Sequence, residues 1–134
     1  MVAVDQAPVR FGPYTLQAAI AAVHAQAPSI EATDWPQILA LYDELLRLWP
    51  SPVVALNRAV ALAMVDGPEA ALAEVEALER DGRLAAYRYL PATKAELLHQ
   101  LGRDSEAVAA YRAALALTGN AAEQRFLESR LSAL

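Results

Sequence analysis

The chain has 134 residues, a net charge of −5 and no cysteine, and 56% of its residues are hydrophobic. That length suits one domain with a real core. Without cysteine, disulfides, thiolate metal sites and cysteine nucleophiles are excluded, and the acidic balance offers no electrostatic footprint for a nucleic-acid backbone. No apolar run approaches the roughly 20 residues that cross a bilayer. Met1–Gly12 lacks the basic-then-apolar order of a signal peptide, so the expected location is the cytoplasm.

Abundant Ala and Leu with scarce glycine favour helices over strands. Residues 1–11 read as an irregular lead-in or linker, because Pro8, Gly12 and Pro13 resist helix. A first helix is expected from about Tyr14 to Ala27, with Leu16, Ala19, Ile20 and Val23 as its apolar stripe. Asp34 is placed to cap a second helix, with Pro36 in its first turn and Gln37 able to return a hydrogen bond. That helix carries Ile38, Leu41, Tyr42, Leu45 and Leu48 inward and stops at Pro50. Ser51-Pro52 opens a third helix, which runs to about Val65.

Asp66-Gly67-Pro68-Glu69 is a turn into a fourth helix that ends at Asp81-Gly82. A fifth is expected from about Leu84 to Leu101, with Pro91 tolerated early or dividing it. Gly102 closes that helix in the left-handed conformation open to glycine, and Asp104 is expected to cap a sixth helix through to Thr118. Asn120 and Glu123 suggest a capping box for a last helix, with Phe126, Leu127, Leu131 and Leu134 as its inner stripe.

Spacing recurs along these elements. The block from Leu101-Gly102-Arg103 through Tyr111, Ala114 and Leu115 is matched upstream by Trp35, Ile38, Tyr42, Leu45 and Pro50, and more weakly between them by Ala71, Val75 and Leu78. A hairpin unit with a period in the mid-thirties predicts an all-α, tetratricopeptide (TPR)-like solenoid over 12–134: a right-handed superhelix of three antiparallel pairs plus a terminal helix, about seven in all. Ala59, Ala71, Ala95 and Ala107 are expected where paired helices approach most closely, and Tyr42 and Tyr111 between neighbouring hairpins.

Catalysis has little support. His24 and His99 belong to no metal-ligand spacing, and no phosphate loop or nucleophile elbow is present. Glu74, Glu76 and Glu79 read as a solvated helix face. No cofactor, metal site or enzymatic activity is expected. Trp35 has two readings, a structural aromatic or a stacking surface. Tyr87 and Tyr89 either line a groove or lock helices together. Asn57-Arg58 is a polar pair in an apolar helix, either with Arg58 snorkelling to a nearby acid or as an anchor for a carboxylate or a peptide backbone.

Several blocks carry a resemblance. Gly12-Pro13-Tyr14-Thr15-Leu16-Gln17-Ala18-Ala19-Ile20-Ala21 resembles the opening of the TPR-like C-terminal extension found in one group of extracytoplasmic-function (ECF) sigma-70-family factors. The similarity continues through Thr33-Asp34-Trp35, Leu56-Asn57-Arg58-Ala59-Val60-Ala61, Asp66-Gly67-Pro68, Leu90-Pro91-Ala92 and Phe126-Leu127, and so covers about residues 11–134. It implies a regulatory extension of a longer transcription initiation factor, whose promoter-binding and polymerase-binding regions have no counterpart here.

On that reading the module acts by binding protein, either the sigma factor's own DNA-binding regions or RNA polymerase, with no direct nucleic-acid or membrane contact. A homodimer through exposed end faces is compatible with it. Candidate partner-binding residues are Gln17, Asp34, Trp35, Asn57, Arg58, Tyr87, Glu96 and His99. The alternatives are a small-molecule sensor, with a groove bordered by Trp35, Tyr87, Tyr89 and Arg58, and a plain assembly scaffold.

Overall fold

The computed structural model describes residues 12–29 and 31–134, so the expected lead-in over residues 1–11 lies outside the described residues. The described chain is all-helical, with seven helices and no strand. They are α1 (Pro13–Gln26), α2 (Trp35–Leu48), α3 (Pro52–Asp66), α4 (Pro68–Asp81), α5 (Tyr89–Gln100), α6 (Asp104–Leu117) and α7 (Ala121–Ser132). Each packs on the next in sequence, and α3 also touches α5. A helical repeat makes contacts of this near-neighbour kind.

The punctuation that sets these elements is largely local. Asp34 Oδ1 accepts from the Gln37 backbone N–H at 3.1 Å, and Ser51 Oγ from that of Val53 at 3.2 Å, so each satisfies a donor with no partner inside its helix. A single residue, Gly67, joins α3 to α4. Its φ of 95° is one that a side chain would strain. At Gly102, φ 75°, the chain leaves α5 by a Schellman motif: Gly102 N–H donates to His99 C=O at 2.9 Å and Arg103 N–H to Leu98 C=O at 2.9 Å.

Two apolar clusters fill the interior. Leu16, Ile20, Ile38 and Leu45 meet Val54 and Ala61 in the first. Leu56 and Ala59 join Ala71, Val75, Ala95, Leu98, Ala107, Tyr111 and Leu127 in the second. Helix α3 therefore belongs to both, with one side in each. The four alanines expected at close approaches, Ala59, Ala71, Ala95 and Ala107, are fully buried at 0% exposure. Tyr111 is buried and Tyr42 half-buried against the first cluster.

Five expectations need correction. Helix α5 begins at Tyr89, not Leu84; residues 82–88 are turns held by Ala85 N–H to Gly82 C=O and Tyr87 N–H to Leu84 C=O. Pro91 then sits in the first turn, where its missing N–H costs nothing. Asp104 does not cap α6. It lies inside the helix and its carboxylate bonds His99 Nδ1 at 2.9 Å.

Asn120 caps α7 by accepting from the Ala122 and Glu123 backbone N–H groups, but Glu123 does not complete a capping box. Its carboxylate instead accepts from Arg88, from the Tyr89 hydroxyl at 3.0 Å and from the Thr118 hydroxyl at 2.9 Å, tying the start of α7 to the start of α5. Phe126 is 57% exposed, so the inner face of α7 is carried by Leu127, with Leu131 and Leu134 partly buried beside it. Finally, the Glu74 and Glu79 side chains, 40% and 38% exposed, do more than form a solvated face, because they pair across helices with Arg58 and Lys94.

Two consequences are measurable. Ala107→Leu overfills a contact with no free space and should cost about 1–3 kcal/mol, read as a lower urea midpoint at unchanged slope; an unaltered midpoint would show that the α5–α6 approach is loose. The Glu123 interactions, that with Arg88 foremost, hold its carboxyl below the ordinary 4.5. A lowered acid contributes stability that is present above its unfolded value and lost as pH falls through the folded one. Glu123→Gln should therefore show its full stability deficit at neutral pH and a shrinking one in acid, below the ordinary glutamate range. Equal deficits in both conditions would remove Glu123 as an ionic tie.

Candidate functional site

The helices bring together two residues that lie far apart in sequence. Gln17 on α1 and Asn57 on α3 both line a cavity of about 90 Å³, with Ile20, Leu45 and Val54 as apolar walls and Tyr42 at its side. Both amides are exposed, while Leu45 and Val54 are buried at 1% and 4% exposure. Gln17 reaches this place because Leu16 and Ile20, its neighbours on the helix, anchor α1 in the first core. Asn57 is there because α3 buries Leu56 on one side and Val54 and Ala61 on another. Uncharged amides over an apolar floor can offer both donors and acceptors to a neutral polar group. Burial of the Tyr42 phenol raises its pKa, so it stays protonated as a donor.

Arg58 takes the snorkelling reading. Its Nε bonds Asp43 of α2 at 2.5 Å, and its Nη1 bonds both oxygens of Glu74 on α4, at 2.7 and 2.9 Å. The guanidinium thus ties three helices. Asp34 is occupied as the α2 cap. Trp35 packs in the first core, edge-to-face with His24 at 5.1 Å between ring centroids. This geometry gives it a structural role at the α1–α2 connection.

At the other end, Tyr87 and Tyr89 pack edge-to-face at 5.2 Å, with the Arg88 guanidinium 4.7 Å above the Tyr89 ring. Tyr87 is partly buried against the second core; Tyr89 is exposed and shares a small apolar cavity with Ala92, Phe126 and Leu127. Glu96 bonds Arg130 of α7 through both oxygens. The Tyr111 hydroxyl is buried beside this pair, near enough to feel both charges yet outside hydrogen-bonding geometry, and burial foremost raises its pKa. His99 is paired with Asp104. The structure therefore unites Gln17 with Asn57 and leaves the other six candidates dispersed. Trp35, Arg58, Tyr87 and Tyr89 do not converge on one groove.

Two larger clefts escaped the residue-by-residue reading. One of about 310 Å³ lies among α2, α3 and α4, bordered by Leu46, Ala55, Arg58, Glu74, Ala77, Leu78 and Asp81. The other, about 300 Å³, lies among α4, α5 and α6, bordered by Glu79, Pro91, Lys94, Leu98, Glu106, Ala109, Ala110 and Ala113. They are counterparts: Ala55 and Pro91, Arg58 and Lys94, and Ala77 and Ala113 are each 36 residues apart.

The ion pairs at their rims repeat as well. Arg58 binds Asp43 of the preceding helix and Lys94 binds Glu79, at the same offset of 15 residues. The next cation in the series is Arg130. Its counterpart acid position holds Leu115, and Arg130 turns instead to Glu96. The signal was present as a spacing between charged residues, which an apolar-pattern reading passes over.

Among the described residues, no group of three or more His, Asp or Glu side chains is arranged to hold a metal ion, and no helix is long and apolar enough to cross a membrane. The chain is 52% identical over 125 residues to an uncharacterized protein of Rhizobium meliloti (strain 1021). The match takes in 93% of this chain but only 29% of that relative, so the chain spans about three tenths of the length of the curated relative it matches. No protein-family description matches the sequence. No solved structure matches it either.

Proposed function

We propose that the chain is a non-catalytic protein-interaction module that regulates transcription initiation as part of an RNA polymerase sigma factor, through contacts with the sigma DNA-binding regions. One observation carries this reading. The two sequence blocks most distinctive of the ECF resemblance, Leu16-Gln17-Ala18-Ala19-Ile20-Ala21 and Leu56-Asn57-Arg58-Ala59-Val60-Ala61, each place an uncharged amide on the same small cavity. Most of both blocks is accounted for by packing, since Leu16, Ile20, Leu56, Ala59 and Ala61 are buried. The exposed Gln17 and Asn57 are not explained by packing, and their meeting point is where a partner is recognised.

The relative supports the same reading in one respect: its matching segment lies within a much longer chain. An acidic module beside basic promoter-binding surfaces gains association rate by charge complementarity. The cavity itself is far below the roughly 300–1,000 Å³ of a small-molecule site, which favours protein over metabolite as the occupant.

The test uses the remainder of the Rhizobium meliloti relative, expressed apart from its matching segment. It should bind RNA polymerase core, and it should bind this chain more weakly as salt is raised. Gln17→Ala with Asn57→Ala should weaken that second interaction at unchanged Tm, because both side chains are exposed. A remainder that binds neither polymerase nor this chain would overturn the reading; unaltered binding by the double variant would remove the cavity from it.

A further inference from the structure

We propose that the two repeat-related clefts are docking sites for basic amphipathic helices, one helix in each. This names a partner chemistry. It rests on the interaction-module part of the reading above and not on its transcriptional part.

The clefts combine three features. First, each is a real recess of about 300 Å³ between packed helices, and the internal repeat builds it twice with matching wall positions. Second, the walls are apolar and rich in alanine: Ala55 and Ala77 with Leu46 and Leu78 in one, Ala109, Ala110 and Ala113 with Pro91 and Leu98 in the other. The alanines leave room for the aliphatic side chains of an incoming helix, and the leucines give them an apolar surface to cover. Third, the rims are acidic. Glu74 and Asp81 border one cleft against the single cation Arg58, and Glu79 and Glu106 border the other against the single cation Lys94.

A helix with an aliphatic row flanked by lysine or arginine supplies what such a recess accepts. The side-chain stems cover the alanine wall, while the charged heads reach the carboxylates at the rim. All four rim acids have partners at present. Glu74 and Glu79 pair with Arg58 and Lys94, while Asp81 is held by Arg83 and Glu106 by Arg103 at the surface, where solvent screens the attraction. An arriving cation replaces Arg83 or Arg103 at small cost. The same rims disfavour nucleic acid and acidic peptides by like-charge repulsion.

The experiment titrates the 134-residue chain with a synthetic amphipathic helix of leucine and lysine, followed by calorimetry and by amide chemical shifts; a leucine–glutamate helix of equal length is the control. Two molecules of the basic helix should bind per chain, with shifts at the two clefts, and the acidic helix should not bind. Ala77→Trp and Ala113→Trp fill one cleft each from exposed positions, leave net charge unchanged, and should each reduce the stoichiometry from two to one. Asp81→Asn and Glu106→Gln, which need no added volume, should weaken the respective site about two- to five-fold, as the loss of one exposed ion pair implies.

Full binding by the chain with both clefts filled, or no binding by the unaltered chain, would overturn the proposal. The two readings fail separately. Should the double-filled chain bind the relative's remainder undiminished while the basic helix ignores the clefts, the cleft assignment falls and the interaction module stands. Should the basic helix bind both clefts while the remainder does not bind at all, the clefts stand and the transcriptional reading falls.

Discussion

Helix α3 is the constraint on which the rest of the molecule depends. It is the one helix with buried residues in both apolar clusters, Val54 and Ala61 in the first and Leu56 and Ala59 in the second. A helix with opposed buried faces cannot rotate to improve one contact without spoiling the other. Its rotation in turn fixes where Asn57 and Arg58 emerge. Asn57 leaves toward α1, where it meets the cavity shared with Gln17. Arg58 leaves toward α2 and α4, where acids on both helices meet it. Two adjacent residues thus serve different ends because about 100° of helix separates them.

The repeat explains why the charges lie where they do. At an interval of 36 residues, Arg58 and Lys94 take the same place in the middle of α3 and of α5, each bonded to an acid 15 residues earlier. These links are partly exposed and add little to stability individually. The series changes at α7. Leu115 occupies the acid position, and Arg130 bonds Glu96 across the helix before it. The terminal helix is thereby fastened by the second pair Arg88–Glu123 at its other end as well. Ion pairs at both ends of α7 thus flank an apolar face on which Leu127 is buried and Leu131 packs beside it.

How much of this was legible in the sequence depends on the range of the interaction. Asp34, Ser51 and Gly102 act within a few residues of themselves, and their roles as caps and helix stop could be read directly from type and position. The four alanines followed from the repeat, because a small residue at a fixed interval signals the same close approach. Asp104, Glu123 and Phe126 were misread for one shared reason. Each sits where a one-residue rule gives a plausible answer, yet another residue competes: His99 across the preceding turn for Asp104, Arg88 and Tyr89 from the start of α5 for Glu123, and the adjacent Leu127 for the buried place on α7. Of the eight candidate residues, Gln17 and Asn57 meet at one cavity, a juxtaposition that depends on how α1 and α3 pack and that their separate positions in the sequence do not reveal. The clefts were hidden because much of their walls is alanine, a residue whose presence at a surface looks like mere helix propensity.

The division of charge between these surfaces has a mechanistic consequence. Most arginine and lysine side chains with a mapped partner are already engaged between or within helices. Acids outnumber bases, 16 to 11, which leaves the net charge of −5. That surplus gives long-range attraction for basic surfaces but carries no register, because it falls off smoothly over a Debye length of about 8 Å at physiological salt. Register has to come from shape and from short-range hydrogen bonds. On the reading proposed above, such contacts belong to the uncharged cavity between Gln17 and Asn57 and to the two alanine-rich clefts. A partner drawn by charge and then fitted by shape would show salt dependence mainly in its association rate and cavity dependence mainly in its dissociation rate.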